Sequence, residues 1–372
     1  MKKILFMIES LKGGGAEKVL STLVKNIDKT KYDITVFVIA KTGIYVSDVE
    51  NNCRLLYALD SDNSNDGFLF KLKSKFIYCC NPAMVYKYLI KESYDIEIAF
   101  VEGLATKLVS NSFNKNSKKY AWVHTDLINN PWTNIAYKSI DEERECYSKF
   151  DKVLCVSSSV KNAFDHKYHT ENSAIQYNLI DENEIIKKSK EISVQKQEHL
   201  QLITLGRLVP QKGYDRLIKC IKRIINEGYD NFNLWILGEG EQREYIEHYI
   251  KDNCLEKYIT LLGFKSNPYP YLAASDAFIC SSRSEGFSTV ATEALILEKP
   301  IFTVDCAGMK ELFGNYECGM IVNNNEDDLY EMILNILIDT NKISKYNYNI
   351  FNRQKNFTLE RRMMEIEDLI NE

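Results

Sequence analysis

Leu200-Gln201-Leu202-Ile203-Thr204-Leu205-Gly206-Arg207-Leu208-Val209-Pro210-Gln211-Lys212-Gly213 is the stretch that decides the fold of this 372-residue chain. Its first six residues form a short apolar run of the kind a buried strand needs, and two glycines then bracket a turn that carries Arg207 and Lys212. Residues 217–227 follow with apolar positions at helical spacing. Toward the C-terminus, residues 232–237, 259–262, 277–280 and 301–304 read as further strands, separated by helical windows such as residues 242–253. Alternation of this kind predicts a parallel sheet with helices on both faces.

Toward the N-terminus the same alternation has already run once. Residues 3–8, 34–39, 96–100, 120–123 and 153–156 are β-branched and aromatic runs with longer amphipathic stretches between them. Residues 178–198 separate the two series; they are polar, rich in Lys and Glu, and hold no long apolar run. The expectation is an α/β chain of two doubly wound, Rossmann-like domains, residues 1–182 and 183–357, with the hinge between them. Such sheets bind ligands beyond the carboxyl ends of their strands, here in an interdomain cleft. Residues 358–372 carry a helical pattern and are expected to pack back on the N-terminal domain.

Composition narrows the function. Hydrophobic residues make up 45% and charged residues 27%, as in an ordinary globular protein. Net charge is −5, split as +3 over residues 1–180 and −8 over the remainder, which argues against a nucleic-acid binder. The apolar run at residues 4–8 is cut by Glu9, too short for a signal-peptide core, and no run approaches the ~20 residues that span a bilayer. A cytoplasmic chain is therefore expected. The ten cysteines show no C-x-x-C pair, so they read as reduced core residues rather than a zinc or disulfide framework.

Three motifs carry chemistry. Gly13-Gly14-Gly15-Ala16-Glu17-Lys18 follows the first strand and opens a helix, so Gly14 and Gly15 read as an anion cradle at a helix start, although a glycine turn also has structural uses. The motif has neither the dinucleotide fingerprint nor a Walker ending. In the second motif, Arg207 and Lys212 lie on a loop at a strand's carboxyl end, where two cations can clamp a diphosphate and stabilise it as it leaves. In the third, Ser284-Glu285-Gly286-Phe287-Ser288-Thr289-Val290-Ala291-Thr292-Glu293 follows residues 277–280. A helix starting near Ser288 offers amides to phosphate, while Glu285 and Glu293 offer carboxylates to sugar hydroxyls.

Taken together, G-G-A-E, G-R-L-x-x-x-K-G, the Glu285/Glu293 pair, and Leu262-Gly263-Phe264 with Asn267-Pro268-Tyr269 resemble family 4 glycosyltransferases of the GT-B fold. The match runs from Met1 to about Leu312. Phe100-Val101-Glu102-Gly103-Leu104-Ala105-Thr106-Lys107 and Ala121-Trp122-Val123-His124-Thr125-Asp126 look like bacterial capsule and surface-polysaccharide members. The resemblance implies a retaining transferase using a nucleotide sugar, UDP-linked by expectation, with no obligatory metal and no other cofactor. It places Arg207 and Lys212, with Gly206, on the diphosphate, Glu285 on the donor sugar and Glu293 on ribose. Backbone at Gly286, Phe287, Ser288 and Thr289 contacts phosphate or sugar, Phe264 holds the base, and Gly14 and Gly15 approach from the other domain. His124 stands near the transferred sugar, with Asp126 as its orienting or acceptor-side partner.

The acceptor implied is a saccharide or a lipid-linked saccharide. Residues 68–78 interleave Lys71, Lys73 and Lys75 with Phe68, Leu69, Phe70, Leu72, Phe76, Ile77 and Tyr78, and so suit either peripheral contact with the inner face of a membrane or a half-buried helix with snorkelling lysines. Asp60-Ser61-Asp62 mimics a D-x-D metal site, but the turn-forming neighbours Asn63 to Gly67 favour a solvated loop. Two other functions share the architecture: a UDP-N-acetylglucosamine 2-epimerase, which needs no acceptor, and a non-catalytic sugar-nucleotide-binding subunit.

Overall fold

The computed structural model describes residues 1–60, 67–196 and 198–372; Ser61 and Asp62 of the D-x-D motif lie outside them. The chain divides into two compact units, Met1–Leu179 with Glu360–Glu372, and Ile180–Leu359.

The first unit holds strands β1 (Lys2–Ile8), β2 (Tyr32–Lys41), β3 (Arg54–Asp60), β4 (Ile96–Ala99), β5 (Lys118–Val123), β6 (Lys152–Cys155) and β7 (Ser173–Ile175) in one parallel sheet of order β3-β2-β1-β4-β5-β6-β7. Ile4 to Ile8 are all 1% exposed or less, as a central parallel strand covered on both faces requires. The terminal helix Leu359–Asn371 belongs to this unit: the Lys2 ammonium donates to Ile370 O at 2.9 Å, and the Arg362 guanidinium stacks on the Tyr177 ring.

The second unit holds β8 (Leu200–Leu205), β9 (Phe232–Leu237), β10 (Ile259–Gly263), β11 (Ala277–Cys280), β12 (Ile301–Val304) and β13 (Gly319–Val322), again parallel, in the order β10-β9-β8-β11-β12-β13. Helix Tyr214–Asn226 buries Leu217, Ile218, Ile221 and Ile224, one stripe at helical spacing worth about 1.5–3 kcal/mol per side chain. The polar stretch read as a hinge contains a helix, Glu182–Lys188, capped by Asp181. Its Ile185 packs with Ile180, Tyr269 and Ile296, so this segment is part of the second unit's core. The cysteines also depart from a uniform core role: Cys79, Cys80 and Cys254 are exposed and Cys53 is half-buried, while all ten are free. No helix among the described residues is long and apolar enough to cross a membrane.

Candidate active site

The second sheet reverses its strand order between β8 and β11, and the register that sets Ala277 beside Leu202 brings the ends of these strands level. Residues 206–213 and 281–288 therefore leave the sheet side by side at the switch point, where doubly wound sheets take ligands. Gly213 closes the first loop at φ +67°, and a Cβ there would lie 2.1 Å from the Ser281 carbonyl oxygen, so only glycine lets the loops meet. Ser281 Oγ donates to Lys212 O at 2.9 Å and Gln211 Nε2 to Ser284 O at 2.8 Å. Arg216, 5% exposed, donates to Ser281 O through Nε and Nη2 at 2.9 and 2.6 Å, and through Nη2 to Asn324 Oδ1 at 2.7 Å. Arg283 grips Asp215 through two 2.7 Å bonds and holds that carboxyl below its ordinary range.

Within this frame Lys212 Nζ lies 2.7 Å from Glu285 Oε1, and Ser282 Oγ donates to the same oxygen at 2.6 Å. Both partners take Oε1; Oε2 has no hydrogen bond among the described residues. Glu285 is 7% exposed, and a small pocket opens between it, Lys212, Thr204, Tyr214 and Ser282. Burial alone pushes the Lys212 ammonium toward neutrality, but the charge and hydrogen bond of Glu285 outweigh it and hold the pKa above the ordinary lysine value. Lys212 is thus a fixed cation at neutral pH. Its stem passes over Gly206, whose own Cβ would meet the Tyr214 hydroxyl at 3.0 Å.

Beside this pair Ser288 caps helix Thr289–Ile296, its Oγ accepting from Ala291 N at 3.3 Å. Gly286 and Phe287 are pressed by Gly308, where a Cβ would fall 2.7 Å from Gly286 O, and the Phe287 ring packs on Phe357 with centroids 6.3 Å apart. Glu293 lies one turn inside the helix, 3% exposed. Phe264 stands 51% exposed just after β10, on a loop that Asn267 ties to Lys188 O at 2.9 Å. Arg207 is exposed, and its guanidinium has no hydrogen bond or ion pair among the described residues. Of the two cations read from the sequence, the structure joins Lys212 to Glu285 and leaves Arg207 outside the pair.

In the first unit the order reverses between β1 and β4. Gly14 caps helix Gly15–Asn26 without a side-chain bond. A Cβ on Gly14 would lie 2.3 Å from Glu17 Oε2, so the chain's own carboxylate stands close to this helix start, where it suits the helix dipole. His124 follows β5 as a neutral ring, its pKa pushed down to about 4 by burial. Its Nε2 lies 2.9 Å from Phe100 O. A carbonyl only accepts, so the proton sits on Nε2 and Nδ1 remains an acceptor. Asp126 does not orient this ring: its oxygens accept from Ile128 N, Asn129 N and Asn129 Nδ2 at 3.0, 3.1 and 2.7 Å, capping the turn that follows.

Comparison with known proteins accords with this geometry. Residues 185–353 match the model of a family described as glycosyl transferases group 1. The Campylobacter jejuni N-acetylgalactosamine-N,N'-diacetylbacillosaminyl-diphospho-undecaprenol 4-alpha-N-acetylgalactosaminyltransferase is 28% identical over 372 residues, 96% of each chain. Among solved structures, Anabaena HepE in complex with UDP and glucose matches with a TM-score of 0.75 at 20% identity, and Staphylococcus aureus TarM in complex with UDP and saccharides with 0.77 at 16%, each over 100% of both chains. The chain is a glycosyltransferase of the GT-B fold.

Two groups at these sheet ends, one in each unit, are not legible in the sequence. Ser282 shares Oε1 of Glu285 with Lys212, and nothing about a serine three residues before a glutamate announces that. Glu102, 2% exposed, accepts from both His124 N and Thr125 N at 2.7 Å through Oε1, and burial pushes its carboxyl up to about 7. The register Ala99 beside Ala121 puts Glu102 level with His124, a pairing visible only once β4 and β5 are known to be neighbours.

Proposed function

We propose that this glycosyltransferase moves a hexose or N-acetylhexosamine from a UDP-linked donor to a saccharide or lipid-linked saccharide, with retention of anomeric configuration, in surface-polysaccharide synthesis. The observation that carries the reading is Lys212 Nζ held against Glu285 Oε1 at the switch point of the second sheet, beside the helix start at Ser288. Lys212 and Arg207 neutralise the departing diphosphate, helped by the amides of Gly286 to Thr289. Glu285 Oε2 accepts from a donor-sugar hydroxyl, Glu293 serves ribose, and Phe264 covers the base. The bond from the sugar's C1 to the phosphate oxygen breaks, the bond to the acceptor oxygen forms on the same face, and the acceptor proton passes to the departing phosphate. His124 Nδ1 accepts from a hydroxyl of the sugar in transfer.

The relatives support the substrate class. The Campylobacter enzyme's name specifies an undecaprenol-diphosphate acceptor and an alpha linkage; a Staphylococcus aureus relative, 25% identical over 287 residues, is a poly(ribitol-phosphate) alpha-N-acetylglucosaminyltransferase. UDP-hexoses are themselves alpha anomers, so an alpha product means retention. Two cations on the phosphates make a divalent metal unnecessary, and a chelator is expected to leave turnover unchanged. Residues 67–91 carry five lysines and no acidic residue, and Phe70, Leu72, Tyr78, Met84 and Tyr88 are exposed among them, which suits a cytoplasmic enzyme resting on an anionic leaflet.

A thermal-shift screen of nucleotide sugars names the donor, since a ligand that binds the native state raises its melting temperature. With that donor, UDP release that depends on an added acceptor supports the proposal. An epimerised sugar nucleotide formed without acceptor favours the 2-epimerase instead, and turnover by the isolated chain excludes a non-catalytic subunit.

A further inference from the structure

We infer that Glu9 and Trp132 form the subsite that holds the pyranose ring of the acceptor, an assignment that rests on the glycosyl-transfer reading but is tested separately from it. Glu9 is the first residue after β1, at the switch point of the first sheet. Leu104 N, at the start of the helix Leu104–Val109 that follows β4, donates to its Oε1 at 3.2 Å, and Oε2 has no hydrogen bond among the described residues. Gly103, the N-cap of that helix, has φ +81°, and a Cβ there would meet Trp132 Cη2 at 3.1 Å, Trp132 Cζ3 at 3.2 Å and Glu9 Oε1 at 3.4 Å. The edge of an indole and a carboxylate oxygen thus converge on one point. Both residues are half-buried, reachable yet partly shielded from water.

Neither group is placed loosely. Tyr137 donates its hydroxyl to Gly103 O at 3.0 Å. The segment that delivers Trp132 is pinned at its start by Glu102 and at its middle by Asp126. Burial raises the Glu9 carboxyl above its ordinary range against the Leu104 amide, and the Glu17 charge adds to the rise. An indole whose edge lies beside a carboxylate, the second oxygen of which takes no hydrogen bond among the described residues, suits a sugar ring: its C–H face can pack on the indole while neighbouring hydroxyls donate to the carboxylate.

A merely structural Glu9 has one task, to accept from Leu104 N, and Glu9→Gln preserves that acceptor. The test is saturation-transfer NMR with methyl glycosides of hexoses and N-acetylhexosamines, on the wild type, Glu9→Gln, Trp132→Phe and Trp132→Ala. UDP titrated by calorimetry into each reports folding and the donor site independently. Enhancement of ring C–H protons is expected in the wild type, lost in Trp132→Ala and weaker in Trp132→Phe, with affinity about tenfold or more lower in Glu9→Gln, as loss of a charge-assisted bond gives. UDP binding should be unchanged throughout. Glycosides that give no signal on the wild type, or bind Glu9→Gln and Trp132→Ala equally well, overturn the assignment. Failure of UDP to bind the wild type would instead count against the transferase reading.

Discussion

Replacing Lys212 by Met separates the two roles assigned to it. In the folded chain its ammonium is 2.7 Å from a carboxylate that is 7% exposed. Removing it leaves Glu285 with Ser282 alone, and breaking a buried pair from one side costs about 3–5 kcal/mol. Adding Glu285→Gln removes the stranded charge, so the double variant should recover stability, with a coupling of about 1–3 kcal/mol in the cycle. Catalysis should not recover. Loss of an aimed cation slows turnover about 10²–10³-fold, and the double variant still lacks it. Urea unfolding of the four proteins and acceptor-dependent UDP release give the two readouts. If the double variant transferred sugar at near wild-type rate, Lys212 would exist only to neutralise Glu285, and the clamp would be wrong.

Glu293→Ala should weaken UDP binding with little change in fold, measured by calorimetry; equal affinity removes it from the ribose. Gly213→Ala forces a Cβ to within 2.1 Å of Ser281 O at positive φ, so the melting temperature should fall by several degrees, and donor affinity should fall with it as the two loops part. Glu102 titrates at about 7 in the folded chain against 4.5 when free, so the folded state holds its proton more tightly. That contribution is full below about pH 4.5 and is lost as pH rises through 7, a span of about 3 kcal/mol. Glu102→Gln does not titrate, and its stability relative to wild type should therefore improve by about that amount between pH 4.5 and 8; parallel pH profiles would refute the assignment. Exchanging Lys71, Lys73 and Lys75 for Glu should abolish co-flotation with phosphatidylglycerol vesicles, and unchanged flotation would remove this face from membrane contact.

Central strands were legible because parallel strands covered on both faces must be continuous apolar runs: residues 200–205, 232–237, 277–280 and 301–304 coincide with β8, β9, β11 and β12. Strand β3 escaped although Leu55 to Leu59 are apolar, because an edge strand with an exposed Tyr57 is not distinguished from a loop by composition. Strand β7 has only three residues, and β13 opens on a glycine and is half-buried throughout, unlike the fully buried β11 and β12 of the same length. Helix Glu182–Lys188 has a single buried apolar residue, too little to show a period. At the site, glycine spacing and strand-end position pointed to both loops of the second unit. What no local pattern carries is a partnership across 73 residues, such as Lys212 with Glu285, which exists because β8 and β11 are neighbours. Glu102 and Glu9 were unread for the same reason, and Glu17's fold-back onto Gly14 depends on a side-chain rotamer.

Amide hydrogen exchange with and without UDP addresses the core of the account most directly. Slowed exchange is expected at residues 206–214 and 281–290, the loops that flank Lys212 and Glu285, with the helix start at Thr289 among the most protected amides. UDP binding that leaves both loops unprotected and slows exchange only elsewhere would show that the diphosphate is held by other groups.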